Sequence, residues 1–210
     1  YSNSGGKWNL AVGSKTLSLN TSGVANTAVG FEALRRNTTG DGNTAVGLEA
    51  LAFNATGADN TALGTNALGA SVDGNANTAV GLQALFSNTN GDYNTAIGAS
   101  VLEKNITGYS NTGIGVNSIY NMTSGIGNSG LGEGSLYSAT GSYNSAIGFA
   151  AGPNSSTPNV SNTTALGYQV PITSSNSVRA GNPFVTSIGG QVGWTNVSDQ
   201  RIKTAIAENI

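Results

Sequence analysis

A motif of the form Asn-Thr-Ala-Val-Gly returns every 17 residues, and that period limits the chain to few folds. Its Gly falls at 13, 30, 47, 64, 81, 98, 115 and 132, then at 148 and 167 as the register loosens. Asn stands four positions earlier (Asn9, Asn26, Asn43, Asn60 and on to Asn144), and Thr or Ser follows it. A Val/Ile/Leu column precedes the Gly, a Leu column (Leu17, Leu34, Leu51, Leu68 and on) follows it, and a second Gly column runs Gly23, Gly40, Gly57 onward. Self-similarity at a fixed short period is the mark of a repeat architecture. Helical-pair repeats need about 30 residues or more and leucine-rich repeats about 20 to 29, so neither fits. Short strands joined by Gly/Asn turns do fit.

The repeat therefore predicts an all-β fold, a parallel β-solenoid with one coil per 17 residues. Thr-Ala-Val-Gly forms one strand and the Ala-Leu region a second. Gly30, Gly47, Gly64 and their equivalents supply positive φ at corners. Identical residues then stack about 4.8 Å apart along the axis, so Asn26, Asn43 and Asn60 form a side-chain ladder. The expected interior holds the Val/Ile/Leu column, the Leu column (Leu34, Leu51) and small residues such as Ala28 and Ala33. That core is thin against the entropy of ordering each coil, which predicts self-association into a fibre.

Composition narrows the function. Gly numbers 31 and Asn 27, whereas Asp, Glu, Lys and Arg together make up 9 %. With no Cys or His, no disulfide framework, zinc site of the usual kind or His-based triad is available. Eight Lys and Arg in a chain of net charge −2 offer no footprint for nucleic acid. No run approaches about 18 apolar residues, so no membrane insertion is expected. Asp41, Asp59, Asp73 and Asp92 lie in turns but are too sparse for a calcium-binding β-roll, and neither a metal nor a cofactor is expected.

The Asn-Thr-Ala-Val-Gly…Ala-Leu units of residues 9–152 resemble the head repeats of trimeric autotransporter adhesins, the YadA-like heads. That resemblance implies a homotrimer of left-handed β-rolls. Further on, Gly189-Gly190-Gln191-Val192-Gly193-Trp194 followed by Ser198-Asp199-Gln200-Arg201-Ile202-Lys203 resembles the junction before an endosialidase-type intramolecular chaperone of phage tail fibres and tailspikes. It implies Ser198 as the nucleophile of autocleavage, Asp199 as its neighbour and Lys203 as the base. A Lys can serve a Ser hydroxyl without His when burial lowers its pKa. The expected organisation is solenoid over 1–152, an irregular β-rich neck over 153–197, and the start of a truncated chaperone domain over 198–210.

Specific binding must come from residues outside the columns. Arg35, Arg36, Phe53, Phe86, Tyr93 and Tyr143 are the candidate surface, with Phe31, Tyr109, Tyr120 and Tyr137 as further variable aromatics; packing between protomers is the competing role. Sequons at Asn37, Asn54, Asn105 and Asn121 are read as products of composition. These features point to a non-enzymatic trimeric tail-fibre segment of a phage or phage-like particle, binding a host cell-surface glycan or outer-membrane receptor. A bacterial surface adhesin head is the alternative. An ice-binding solenoid is a third, because Thr27 to Thr112 form a one-per-coil file. Glycan hydrolysis is disfavoured, since no pair of carboxylates about 5–9.5 Å apart is suggested.

Overall fold

A computed structural model describes residues 5–188. It is a parallel β-solenoid. Eleven strands form one sheet: β1 (Leu10–Val12), β2 (Thr27–Val29), β3 (Thr44–Val46), β4 (Thr61–Leu63), β5 (Thr78–Val80), β6 (Thr95–Ile97), β7 (Thr112–Ile114), β8 (Ser129–Leu131), β9 (Asn144–Ile147), β11 (Thr163–Leu166) and β13 (Ser177–Ala180). Each strand pairs with its equivalent in the next coil, Thr on Thr and Ala on Ala from β2 to β6, at an offset of 17 residues through β8. The offset then becomes 16, 19 and 14. The looser spacing past residue 150 thus changes coil length while the same sheet continues through β11 and β13. Coils are numbered here from their Asn: coil 1 is 9–25, coil 2 is 26–42, and so on.

The expected second strand is absent from the regular coils. The return leg is a run of turns in which Glu32 and Leu34 take φ of 57° and 48°, and every equivalent Leu from Leu17 to Leu136 is likewise left-handed. These legs still bond coil to coil, Leu34 N donating to Ala50 O and Leu51 N to Ala67 O, both at 3.0 Å. Only in the last coils does this leg extend, as a two-stranded sheet of β10 (Gly152–Pro153) and β12 (Pro171–Ile172).

The Val/Ile/Leu column also departs from expectation. It faces outward, while the central Ala of each strand (Ala28, Ala45, Ala62, Ala79, Ala96) is fully buried. The cause is strand parity. Side chains alternate across a strand, so an inward Asn26 places Thr27 outward, Ala28 inward and Val29 outward. The core is therefore Ala28, Ala33, Leu34 and their equivalents, closed by Asn. Its volume is conserved locally. Coil 6 carries Val101 where coils 2–5 have Ala, and the facing strand carries Gly113 in place of Ala; a Cβ there would lie 2.5 Å from Val101 Cγ1. Gly113→Ala is expected to cost about 1–3 kcal/mol by overpacking. Adding Val101→Ala should recover most of it, and a double-mutant cycle by urea unfolding with purely additive effects would refute this pairing.

The inward Asn side chains form two ladders. Asn43 N donates to Asn26 Oδ1 (2.9 Å), Asn60 N to Asn43 Oδ1 (3.0 Å) and Asn77 N to Asn60 Oδ1 (2.9 Å). The second ladder was not read from the sequence. Asn37 Nδ2 donates to Asn20 Oδ1 and Asn54 Nδ2 to Asn37 Oδ1, both at 2.8 Å, and Asn105 Nδ2 to Asn88 Oδ1 at 2.7 Å. The two meet on the second Gly column: Gly40 O accepts from Asn26 Nδ2 (2.8 Å) and Asn37 Nδ2 (2.9 Å). Gly is required there by crowding, because a Cβ on Gly40 would strike the Gly57 carbonyl and sit 2.5 Å from Asn37 Oδ1. The first Gly column does take the expected positive φ, at 133° in Gly30, 138° in Gly47 and 135° in Gly64.

Coil 4 breaks the second ladder. Ser71 stands where its neighbours have Asn, and both Ser71 Oγ and Asn54 Oδ1 are buried without a hydrogen-bond partner. Ser71→Asn would supply Nδ2 to Asn54 Oδ1 and Gly74 O, as Asn54 supplies Asn37 Oδ1 and Gly57 O one coil earlier. We expect a gain of about 1–2 kcal/mol, seen as a raised thermal midpoint; a lower midpoint would contradict it.

Candidate functional site

With Asn, Ala and Leu turned inward, the strands of the regular coils present Thr and aliphatic side chains, and the charged and aromatic ones project from the return leg and corners. Equivalent leg positions stack at the repeat period. In coil 2 they are Arg35 and Arg36, in coil 3 Ala52 and Phe53, in coil 4 Gly69 and Ala70, in coil 5 Phe86 and Ser87, and in coil 6 Glu103 and Lys104.

The structure brings Arg35, Arg36 and Phe53 together. Both guanidinium carbons lie over the Phe53 ring, Arg36 at 4.5 Å and Arg35 at 5.6 Å from its centroid. Glu32 ties this cluster to coil 1: Lys15 Nζ donates to Glu32 Oε1 at 2.9 Å, and Arg35 Nε lies 3.2 Å from Glu32 Oε2. The Lys15 hydrogen bond, ahead of the Arg35 and Lys15 charges, holds the Glu32 carboxyl below its ordinary value against partial desolvation. That contribution is present at neutral pH and fades as pH falls through the lowered pKa.

A second cluster follows along the same leg. The rings of Tyr120 and Tyr137 stack with centroids 5.2 Å apart and planes 4° from parallel. Lys104 Nζ sits 4.8 Å from the Tyr120 centroid and donates to Asn121 Oδ1 at 2.9 Å. Tyr120 Oη donates to Glu103 Oε1 at 3.3 Å, and the Glu103 charge is the largest factor raising the phenol's pKa. Lys104 and Glu103 were absent from the sequence-based candidates, although the 17-residue separation of Tyr120 and Tyr137 announces their stacking.

Tyr93 and Tyr143 do not join these clusters. They occupy another corner, each at a left-handed backbone position (φ 57° and 60°), and are 66 % and 62 % exposed. The turn carboxylates are engaged by the preceding coil: Asp41 Oδ1 accepts from Val24 N at 2.6 Å and Asp92 Oδ1 from Asn75 N at 2.7 Å. The sequon residues Asn37, Asn54 and Asn105 are fully buried ladder members, so the folded chain cannot present them for glycosylation. Ser198, Asp199 and Lys203 lie outside the described residues. Among the described residues, no three acidic side chains converge as metal ligands would.

The other distinctive surface is a corner. Each positive-φ Gly of the first column is flanked by two outward files, the Val/Ile/Leu residue before it and the residue after it. These files hold 14 of the 27 exposed large apolar side chains among the described residues, including Val46 and Leu48, Ile114 and Val116, and Ile147 and Phe149. Over coils 7–9 the adjoining strand face dips into a shallow depression of about 300 Å³ lined by Thr112, Ile114, Leu131 and Ile147. No protein-family model, curated protein or solved structure matches the chain.

Proposed function

We propose that this chain is a non-enzymatic segment of a homotrimeric attachment fibre from a phage or phage-like particle, presenting its return legs to a host-surface receptor. The observation that carries the reading is the apolar corner. A monomer leaving an unbroken outward Val/Ile/Leu file from Val12 to Leu166, with Phe31, Leu48, Leu82, Val116 and Phe149 beside it, is at odds with ordinary soluble surfaces, where large contiguous patches mark interfaces. A corner with apolar files on both sides has the shape that three copies need to meet around an axis, each file packing against a neighbour. Glu133 is the one charged residue in these files among the described residues. The legs bearing Arg36, Phe53 and Tyr137 would then face solvent. Light scattering should give close to three times the 20.9 kDa chain mass, and a stable folded monomer would end the proposal.

The phage assignment, in preference to a bacterial surface adhesin head, rests on the junction resemblance at Ser198 and Lys203. A full-length parent should yield a band ending near Ser198, and Ser198→Ala should abolish it; an unchanged band pattern would remove the chaperone reading. Ice binding is the other reading with an observation behind it, the outward Thr file from Thr27 to Thr112 on a parallel sheet. Thermal hysteresis of the purified protein, abolished by Thr61→Tyr, would favour it over attachment.

A further inference from the structure

The return leg contains a step at coil 4, where Gly69 and Ala70 stand between Phe53 of coil 3 and Phe86 of coil 5. Gly69 is not at a positive-φ position, so no left-handed backbone demands it. Space does: a Cβ would lie 3.0 and 3.1 Å from Phe86 Cε2 and Cδ2. The Phe86 ring therefore lies over Gly69 against the coil 4 backbone, and the step is at Ala70, in the file Phe53, Ala70, Ser87. Phe53, 40 % exposed, stands at its coil 3 side with the Arg36 guanidinium 4.5 Å from its centroid. Glu32, the nearby acid, is taken up by Lys15 and Arg35. Arg36 is exposed and has no ion pair among the described residues.

We propose that this step binds a saccharide unit carrying a carboxylate. The apolar C–H face of a pyranose packs on aromatic rings such as Phe53 and Phe86, and the small Ala70 beside them admits it. A guanidinium held over a ring keeps its edge free for a carboxylate, which it meets through two parallel hydrogen bonds. A peptide is less suited. Every strand from β2 to β9 is already paired on both sides, leaving no edge for strand addition there. The inference deepens the attachment reading by naming a ligand class for the outer leg. It needs the residues of one protomer only, so a monomeric result in light scattering would leave it standing.

The test is affinity electrophoresis of the full chain through native gels containing polygalacturonate, hyaluronate or polysialate, with dextran as the neutral polymer. The protein should be retarded by at least one of the acidic polymers and not by dextran. Arg36→Gln, which removes the carboxylate partner, and Ala70→Tyr, which fills the step, should each weaken retardation about tenfold or more. Arg179→Gln, which removes the same charge from exposed β13, should leave it unchanged, and circular dichroism should show all three variants folded. Lack of retardation in all three acidic gels, equal retardation by dextran, or undiminished retardation of folded Arg36→Gln or Ala70→Tyr would each overturn the proposal.

Discussion

Asn60→Ala is expected to destabilise the solenoid by about 3–6 kcal/mol, enough to unfold the central coils at moderate urea. Asn60 Nδ2 donates to Gly74 O at 2.7 Å, and Asn60 Oδ1 accepts from Asn77 N at 2.9 Å. Removing the amide leaves a carbonyl and an N–H buried without partners, each costing about 1–3 kcal/mol, besides the lost packing. A comparison with Asn43→Ala isolates the cause. There Gly57 O would keep its bond from Asn54 Nδ2 (2.9 Å), whereas Gly74 O has no second amide because Ser71 interrupts the other ladder. Asn43→Ala should therefore cost about 1–3 kcal/mol less, and Ser71→Asn should partly rescue Asn60→Ala. Urea midpoints at one fixed protein concentration measure all of these. Equal losses at positions 43 and 60 would show that the shared glycine carbonyl is not what the amides hold.

Ile97→Asp should convert the proposed trimer to monomer without unfolding the protomer. Ile97 is 40 % exposed on the outer face of β6, so a carboxylate there remains hydrated in an isolated chain. In a trimer three copies would enter an apolar interface with no cation beside them, and burying an unpaired charge costs far more than the roughly 1.5–3 kcal/mol an Ile side chain contributes there. The expected result is a fall in mass to 20.9 kDa with an unchanged far-ultraviolet circular dichroism spectrum. Tyr93→Asp, at the 66 % exposed corner, should leave the mass untouched. If the Ile97→Asp protein keeps the mass of the parent, the apolar corner is not the interface.

Repetition made much of this fold legible. Stacking like on like needs only a period, so the 17-residue spacing alone placed Asn26 over Asn43 and Leu34 over Leu51, and made a parallel solenoid the economical solution. The same spacing held the second Asn ladder and the Tyr120–Tyr137 stack. Asn37 and Asn54 lie 17 residues apart and also spell sequons. Strand parity was legible too: an inward Asn26 already excludes an inward Val29. The return leg was different. Left-handed φ at Glu32 and Leu34 is not written in residue types that favour it, since neither is Gly, Asn or Asp. Coil-to-coil hydrogen bonds and the inward Leu impose it.

The sequence by itself thus determined which residues stack along the axis, because translation by one coil brings every residue onto its counterpart. The tertiary structure alone decided which of the two faces of each strand turns inward and which columns meet. Those outcomes depend on backbone dihedrals set by the closure of the whole turn. That closure left the aliphatic column outside, joined two amide ladders at one glycine carbonyl, and laid the Phe86 ring over Gly69.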